Sequence, residues 1–158
     1  MILVEARPEH IVSFSKTVSA ENVRELREFY GLDPTEAILN LVDDDSVYAV
    51  VYNDKVVCLT SINDDGLMWA LFSADINDNS IRFVRASRAL IEYYHRAHDQ
   101  IECRVWTENG KALQWLTYIG FEPVGVSRYG DHHDYVTFVR CNPDAMRNRA
   151  ELLRPVIH

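Results

Sequence analysis

Residues 109–125, NGKALQWLTYIGFEPVG, constrain the fold of this chain more tightly than any other stretch. Ala112, Trp115, Leu116 and Ile119 recur at spacings of three and four, which places them on one face of a short helix. Gly120 stands where that helix must stop, because a glycine there enters the left-handed conformation at little steric cost. Phe121 then folds back towards the helix, and Val124 and Val126 begin an alternating strand. An ordinary helix–turn–strand corner satisfies the same pattern, so the stretch fixes local geometry before it says anything of function.

At 158 residues the chain has the size of one domain with one core. Hydrophobic residues make up 47%, a globular composition without low-complexity segments. A formal charge of −8 argues against a nucleic-acid-binding surface, because phosphate contacts need a basic face. Three Lys accompany 13 Arg, so the cationic chemistry is mainly that of the planar guanidinium, suited to phosphates and carboxylates. Cys58, Cys103 and Cys141 are odd in number and lack disulfide or metal spacing, which fits a reducing compartment. No signal-peptide pattern and no membrane-length apolar run is present. The expected location is therefore cytoplasmic, without a membrane partner.

Residues 1–6 read as an apolar strand, and Pro8 opens a helix carrying Ile11, Val12, Phe14 and Val18. Residues 20–30 form a second helical stretch with Val23, Leu26 and Tyr30 inward. Arg24, Glu25, Arg27 and Glu28 then form a solvated face. Asp33-Pro34 starts a third helix. The Asp43-Asp44-Asp45 run lacks the glycine and distal Glu of a calcium loop and reads as a solvated turn. Residues 46–52 and 55–62 are β-rich and separated by Asn53-Asp54, a two-residue hairpin turn. Residues 67–74, LMWALFSA, are apolar on both faces and predict a central strand. The polar segment DINDNS leads into the longest helix, 81–98, with Ser80 as N-cap and Ile81, Val84, Leu90, Ile91 and Tyr94 as the buried stripe. Strands are expected at 100–106, 123–127 and 135–140. Asn142 caps a final helix at 145–153. The division is a domain at 1–141 and a C-terminal helix and tail at 142–158.

The order is thus strand, helices, three antiparallel strands, long helix, strand, helix, two strands. Together with the 109–121 motif, this order resembles the GCN5-related N-acetyltransferase (GNAT) superfamily over almost the entire chain. The resemblance implies an α/β (α+β) fold with a mixed, mainly antiparallel central sheet flanked by helices. A narrower resemblance is to small acetyltransferase-like and internal virion proteins of tailed bacteriophages. It lies in FYGLDPTEAILNLVDDDSVYAVVYNDKVV, in LMWALFSADINDNSIRFVRAS, and in Asn109 with Trp115-Leu116 and Ile119-Gly120.

The family resemblance implies an acetyl-CoA-dependent transfer to an amine of a protein or small molecule. In such enzymes two neighbouring strands splay, and the pantetheine arm pairs with an exposed strand edge. The pyrophosphate sits at the N-terminus of the long helix. Carried over to this sequence, the resemblance implies that Leu67 to Ser73 line the pantetheine groove, Leu71, Phe72 and Ser73 among them, that Asp75 to Arg82 meet the pyrophosphate, and that Asn109 faces the CoA arm. Two departures bear on the chemistry. The family's glycine-rich phosphate loop is replaced by DINDNSIRF, whose Asp75 and Asp78 repel a diphosphate unless neutralised. Arg82, Arg85 and Arg88 are the compensating candidates, because Arg–phosphate contacts can be bidentate. The family's thiolate-protonating Tyr is replaced by Leu116, as in some family branches. Tyr118 lies about 200° further round the helix. The catalytic candidates are Tyr118 and the hairpin-turn residues His132 and His133, since histidine is the side chain suited to act as base or proton relay near neutral pH. No metal site is expected: His95, His98 and Cys103 lack a fourth ligand. The alternative reading is a catalytically degenerate GNAT-fold binding protein, such as a phage virion component or an inhibitor of a host protein. It would act in the host cytoplasm or in the virion.

Overall fold

The computed structural model describes the backbone of residues 1–129, 133–145 and 147; side chains at 77–80, 129 and 133 fall outside that description. The elements are β1 (Ile2–Glu5), α1 (Pro8–Ser15), α2 (Ala20–Arg24), a π turn (Glu25–Phe29), α3 (Pro34–Leu39) and a 3-10 turn (Asn40–Asp43). Then come β2 (Tyr48–Tyr52), β3 (Lys55–Ile62), β4 (Leu67–Phe72), a second 3-10 turn (Ala74–Asn79) and α4 (Ser80–Tyr94). The last are β5 (Gln100–Trp106), α5 (Gly110–Tyr118), β6 (Glu122–Tyr129) and β7 (His133–Cys141). The strands form one seven-stranded sheet in the order β1-β2-β3-β4-β5-β7-β6, antiparallel throughout except for β4 and β5. None of the described helices is long and apolar enough to cross a membrane.

Local chemistry sets the turns. Asn53 and Asp54 both take positive φ (49° and 61°), the geometry that matches a tight hairpin to the twist of its strands. Gly120 has φ 92°. The Phe121 N–H donates to the Leu116 carbonyl and the Gly120 N–H to that of Thr117, the paired closure of a Schellman stop. Phe121 and Leu116 share the same core cluster, so this stop also pins β6 to the sheet. Pro34 opens α3 behind an Asp33 cap that accepts the Glu36 N–H.

Helices cover both faces of the sheet. On one face α4 and α5 bring Phe83, Leu90, Ile91, Trp115 and Leu116 against Val50, Cys58 and Met68. On the other, Ile11 and Phe14 of α1 and Ile38 of α3 pack on Ala49, Val56 and Leu59. Double cover explains why β3 and β4 read as continuous apolar runs.

Three expectations about which side chains face inward are corrected. Ile81 is 72% exposed. The inward stripe of α4 runs through Phe83, Ser87, Leu90, Ile91 and Tyr94, and Ile81 lies about 200° from Phe83 at 100° per residue. Ser87 fits that stripe because its hydroxyl donates to the Phe83 carbonyl and accepts from the Trp115 indole. Val12 is exposed beside the Ile11–Phe14 stripe. In 20–30, Glu25 and Phe29 are buried and Tyr30 is 42% exposed. The π turn, closed by the Tyr30 N–H on the Glu25 carbonyl, carries one more residue than an α turn and shifts the phase. The expected helix at 145–153 lies almost wholly outside the described residues; Asn142 does cap its start, accepting the Asp144 N–H.

Candidate active site

The sheet opens between β4 and β5. They pair in parallel only at Leu67↔Glu102 and Met68↔Cys103. β4 stays paired with β3 as far as Phe72↔Cys58, and β5 stays paired with β7 as far as Trp106↔Tyr135. Each strand is held on its outer side, so the inner edges separate beyond the second pair.

Backbone groups exposed in such a gap need partners. The α2 segment supplies them at both rims. The Ser19 N–H donates to the Phe72 carbonyl, and the Phe72 N–H donates to Asn22 Oδ1 at 2.8 Å. Three residues on, Glu25 Oε1 accepts the Trp106 N–H at 3.3 Å. Asn22 and Glu25 therefore cap one edge each and hold the split open. Between them, Ala70 is left directed into the gap. Alternation along β4 requires this, since the Leu67 carbonyl and the Ser73 N–H bond on the β3 side.

Glu25 is the central polar group. It is 8% exposed, and its second oxygen accepts from Asn109 Nδ2. Burial raises its carboxyl above the ordinary carboxylate value, opposed by the hydrogen bonds from Asn109 and the Trp106 N–H. Asn109 is itself 3% exposed. Its Oδ1 caps α5 through the Ala112 N–H, which fixes the side chain that orients Glu25.

These residues line a cavity of about 360 Å³ running through the split, bounded by α2, α3, β4, β5 and α5. Its other walls are almost entirely apolar. Cys103 is in the lining, but burial pushes its thiol up to about 12, so it offers no thiolate. A smaller cavity of about 140 Å³ lies towards α4 and shares Asn22, Phe72, Asn109 and Trp115 with the first. Between the two, Phe72 meets Phe83 and Trp115 edge-on, with Phe72 and Trp115 ring centres 4.8 Å apart, and Phe83 stacks on Trp115. On the far side, a groove of about 540 Å³ shares Tyr30, Trp69 and Arg104 with the larger cavity.

The expected site residues divide. Leu71 and Phe72 line the larger cavity, and Phe72, Ser73 and Tyr118 line the smaller one. Asn109 lines both, yet its side chain is spent on Glu25 and on the α5 cap. Tyr118 is 55% exposed, and its hydroxyl accepts from Gln114 Nε2 at 2.8 Å. Arg82 is turned to the β2–β3 hairpin: it donates to the Tyr52 hydroxyl at 2.9 Å and lies over that ring. Arg88 donates to the Tyr118 carbonyl. Arg85 is exposed and makes no hydrogen bond or ion pair among the described residues. At the mouth of the smaller cavity Lys111 pairs with Glu21 at 3.0 Å, and that hydrogen bond lowers the Glu21 pKa. The amides leading into α4 are already engaged. Ala74 donates to the Thr17 carbonyl, Asp75 to Ser73 Oγ and Ile76 to the Ser73 carbonyl. His132 lies outside the described residues, as does the His133 side chain.

The sequence points to neither Asn22 nor Glu25 as site residues. One signal is present: Asn22, Glu25 and Phe29 recur at three and four, a helical stripe as regular as that of Val23, Leu26 and Tyr30.

No protein-family profile matches the sequence, and no curated protein matches it. Solved structures do match. A GNAT-family acetyltransferase from Bacillus anthracis superposes with a TM-score of 0.66 at 9% identity, covering 88% of this chain and 93% of that one. The aminoglycoside acetyltransferase AAC(6')-Ib with coenzyme A gives 0.64 at 18% identity, covering 93% and 98%. RimL, a ribosomal L7/L12 α-N-protein acetyltransferase with coenzyme A, gives 0.66 at 14% identity, covering 88% and 92%. This chain has the GNAT fold. In GNAT-fold terms the β4–β5 split is the feature the sequence resemblance implied. Identities this low carry the fold and leave activity to the site itself.

Proposed function

We propose that this protein transfers an acetyl group from acetyl-CoA to an amine, with Glu25 as the proton acceptor. The observation that carries the reading is the gap between β4 and β5, which holds a cavity with one buried, hydrogen-bonded carboxylate. Residues present fit the cofactor. Its pantetheine arm would meet the N–H and C=O of Ala70 beside Leu71 and Phe72, as an added strand does. Its phosphates would lie at the start of α4, with Arg85 as the available guanidinium and Arg82 and Lys111 nearer to partners of their own. The solved neighbours with coenzyme A, AAC(6')-Ib and RimL, support the same reading.

When bound, acetyl-CoA supplies an electrophilic thioester. Glu25 accepts a proton from the amine nitrogen, which frees its lone pair for attack. The raised Glu25 pKa makes it a better proton acceptor than an exposed carboxylate. Asn109 keeps the carboxylate aimed. Tyr118, at the rim of the smaller cavity, is the candidate donor to the departing thiolate; its hydroxyl accepts from Gln114 and so keeps its own proton to give.

A second reading rests on the engaged amides of residues 74–76, which leave fewer backbone donors for a diphosphate. It makes the chain a non-catalytic binding protein, such as a phage virion component or an inhibitor of a host protein. Calorimetric titration with acetyl-CoA, run beside thermal melting, separates the two. Ligand at a hundred times its Kd stabilises by about 2.7 kcal/mol. No heat and no shift in Tm at millimolar acetyl-CoA would discard the enzyme.

A further inference from the structure

The lining of the larger cavity specifies more than a generic amine. Among the described residues that line it, only Glu25 and Arg104 are charged. Glu25 is buried in the wall, whereas Arg104 is half-exposed at the outer end, 3.6 Å from Glu102. The rest of the lining is mainly apolar, with Leu26, Ile38, Leu41, Trp69, Leu71 and Val105 in it, and Asn22, Tyr30 and Asn109 are its uncharged polar members. One carboxylate in apolar walls accommodates one ammonium. A second ammonium would be stripped of water without a counter-charge, which is costly, or would approach the Arg104 guanidinium.

Resting on the acetyl-transfer reading, we propose that the acceptor is a small primary amine carried on an apolar, otherwise uncharged framework, seated with its nitrogen at Glu25. The apolar body lies against Leu26, Leu41 and Trp69, where burial contributes about 25 cal/mol per Å² of apolar surface. The nitrogen reaches Glu25 at the end of the cavity that adjoins Phe72 and Asn109, the side on which the smaller cavity continues towards α4. Charge complementarity selects the amine, and the apolar wall rejects polycations such as aminoglycosides. A protein N-terminus, which carries a peptide backbone with its own polar groups, is disfavoured by the same wall.

The test uses the full-length protein and three probes: 2-phenylethylamine, 2-phenylethanol and kanamycin. Binding of each is measured by calorimetry and thermal shift without cofactor, and turnover with acetyl-CoA is measured separately. We expect saturable binding of 2-phenylethylamine, at least tenfold weaker binding of the alcohol, and a kcat/KM for the amine at least a hundredfold above that for kanamycin. Glu25→Gln should weaken amine binding at least tenfold and leave acetyl-CoA affinity within twofold. Ala37→Phe, which fills the cavity from α3, should abolish amine binding while retaining acetyl-CoA binding. Equal binding of amine and alcohol, preference for kanamycin, or full amine binding by Ala37→Phe would overturn the proposal. Amine binding without any acetyl-CoA binding would sink the enzyme reading and leave the pocket assignment standing. Acetyl-CoA binding with no response to the amine would do the reverse.

Discussion

The two ends of the β4–β5 split are built on opposite plans. Towards α2, recognition is pre-assembled: Asn22 and Glu25 are buried, each caps a strand edge, and Asn109 locks the carboxylate. Towards α4, the backbone donors of residues 74–76 are spent internally, and the nearby cations are side chains on an exposed helix face. The acceptor end therefore owes its geometry to the fold. The proposed cofactor end would draw on exposed guanidinium groups, which bring charge but lose rotamer freedom when they bind. The same contrast explains why a chain without a glycine-rich loop can still keep the split: α2, and not the phosphate loop, holds it open.

Four experiments bear on this contrast, taken from the largest effect down. Glu25→Gln removes the proposed proton acceptor but keeps the shape and an acceptor for Asn109. Turnover of amine should fall by about 10²–10⁴, the usual worth of a positioned base. Turnover unchanged in that variant would place the chemistry elsewhere in the split. Asn22→Leu leaves the Phe72 N–H buried without a partner. The loss of about 1–3 kcal/mol should lower Tm by roughly 3–10 °C for a chain this size. If Tm is unmoved, α2 does not brace the edge of β4.

At the other end, Arg85→Ala should weaken acetyl-CoA by about tenfold, in line with loss of one charge-assisted contact. Arg82→Ala should change it less than about threefold, because Arg82 is already committed to Tyr52. Equal effects would erase the distinction drawn between these arginines. The smallest effect is on pH dependence. The folded pKa of Glu25 is raised, so the stability linked to it is present below the unfolded value and is lost as pH climbs through the folded one. The Tm of Glu25→Gln minus that of wild type should therefore be larger near about pH 7 than near about pH 4. A difference that is flat with pH would mean the carboxylate is not desolvated.

Sequence alone settled what short-range physics controls. The hairpin at Asn53-Asp54, the Gly120 stop, the Asp33-Pro34 helix start and the central place of β4 all follow from turn chemistry and apolar period within a few residues. The family resemblance, and not these patterns, implied Leu71, Phe72, Ser73 and Asn109 as cofactor contacts; all four line the cavities at the split. Only the tertiary structure decided which polar groups the split uses. Glu25 sits in a charge-rich segment that reads as solvated, yet it shares the inward face of α2 with Asn22 and meets Asn109, 84 positions away in sequence. Arg82, which looks like a phosphate ligand on a helix, is claimed by Tyr52 from a hairpin 30 positions earlier. Periodicity records which face of an element is apolar. It carries no record of a phase shift within a helix, or of the distant partner that makes a buried charge tolerable.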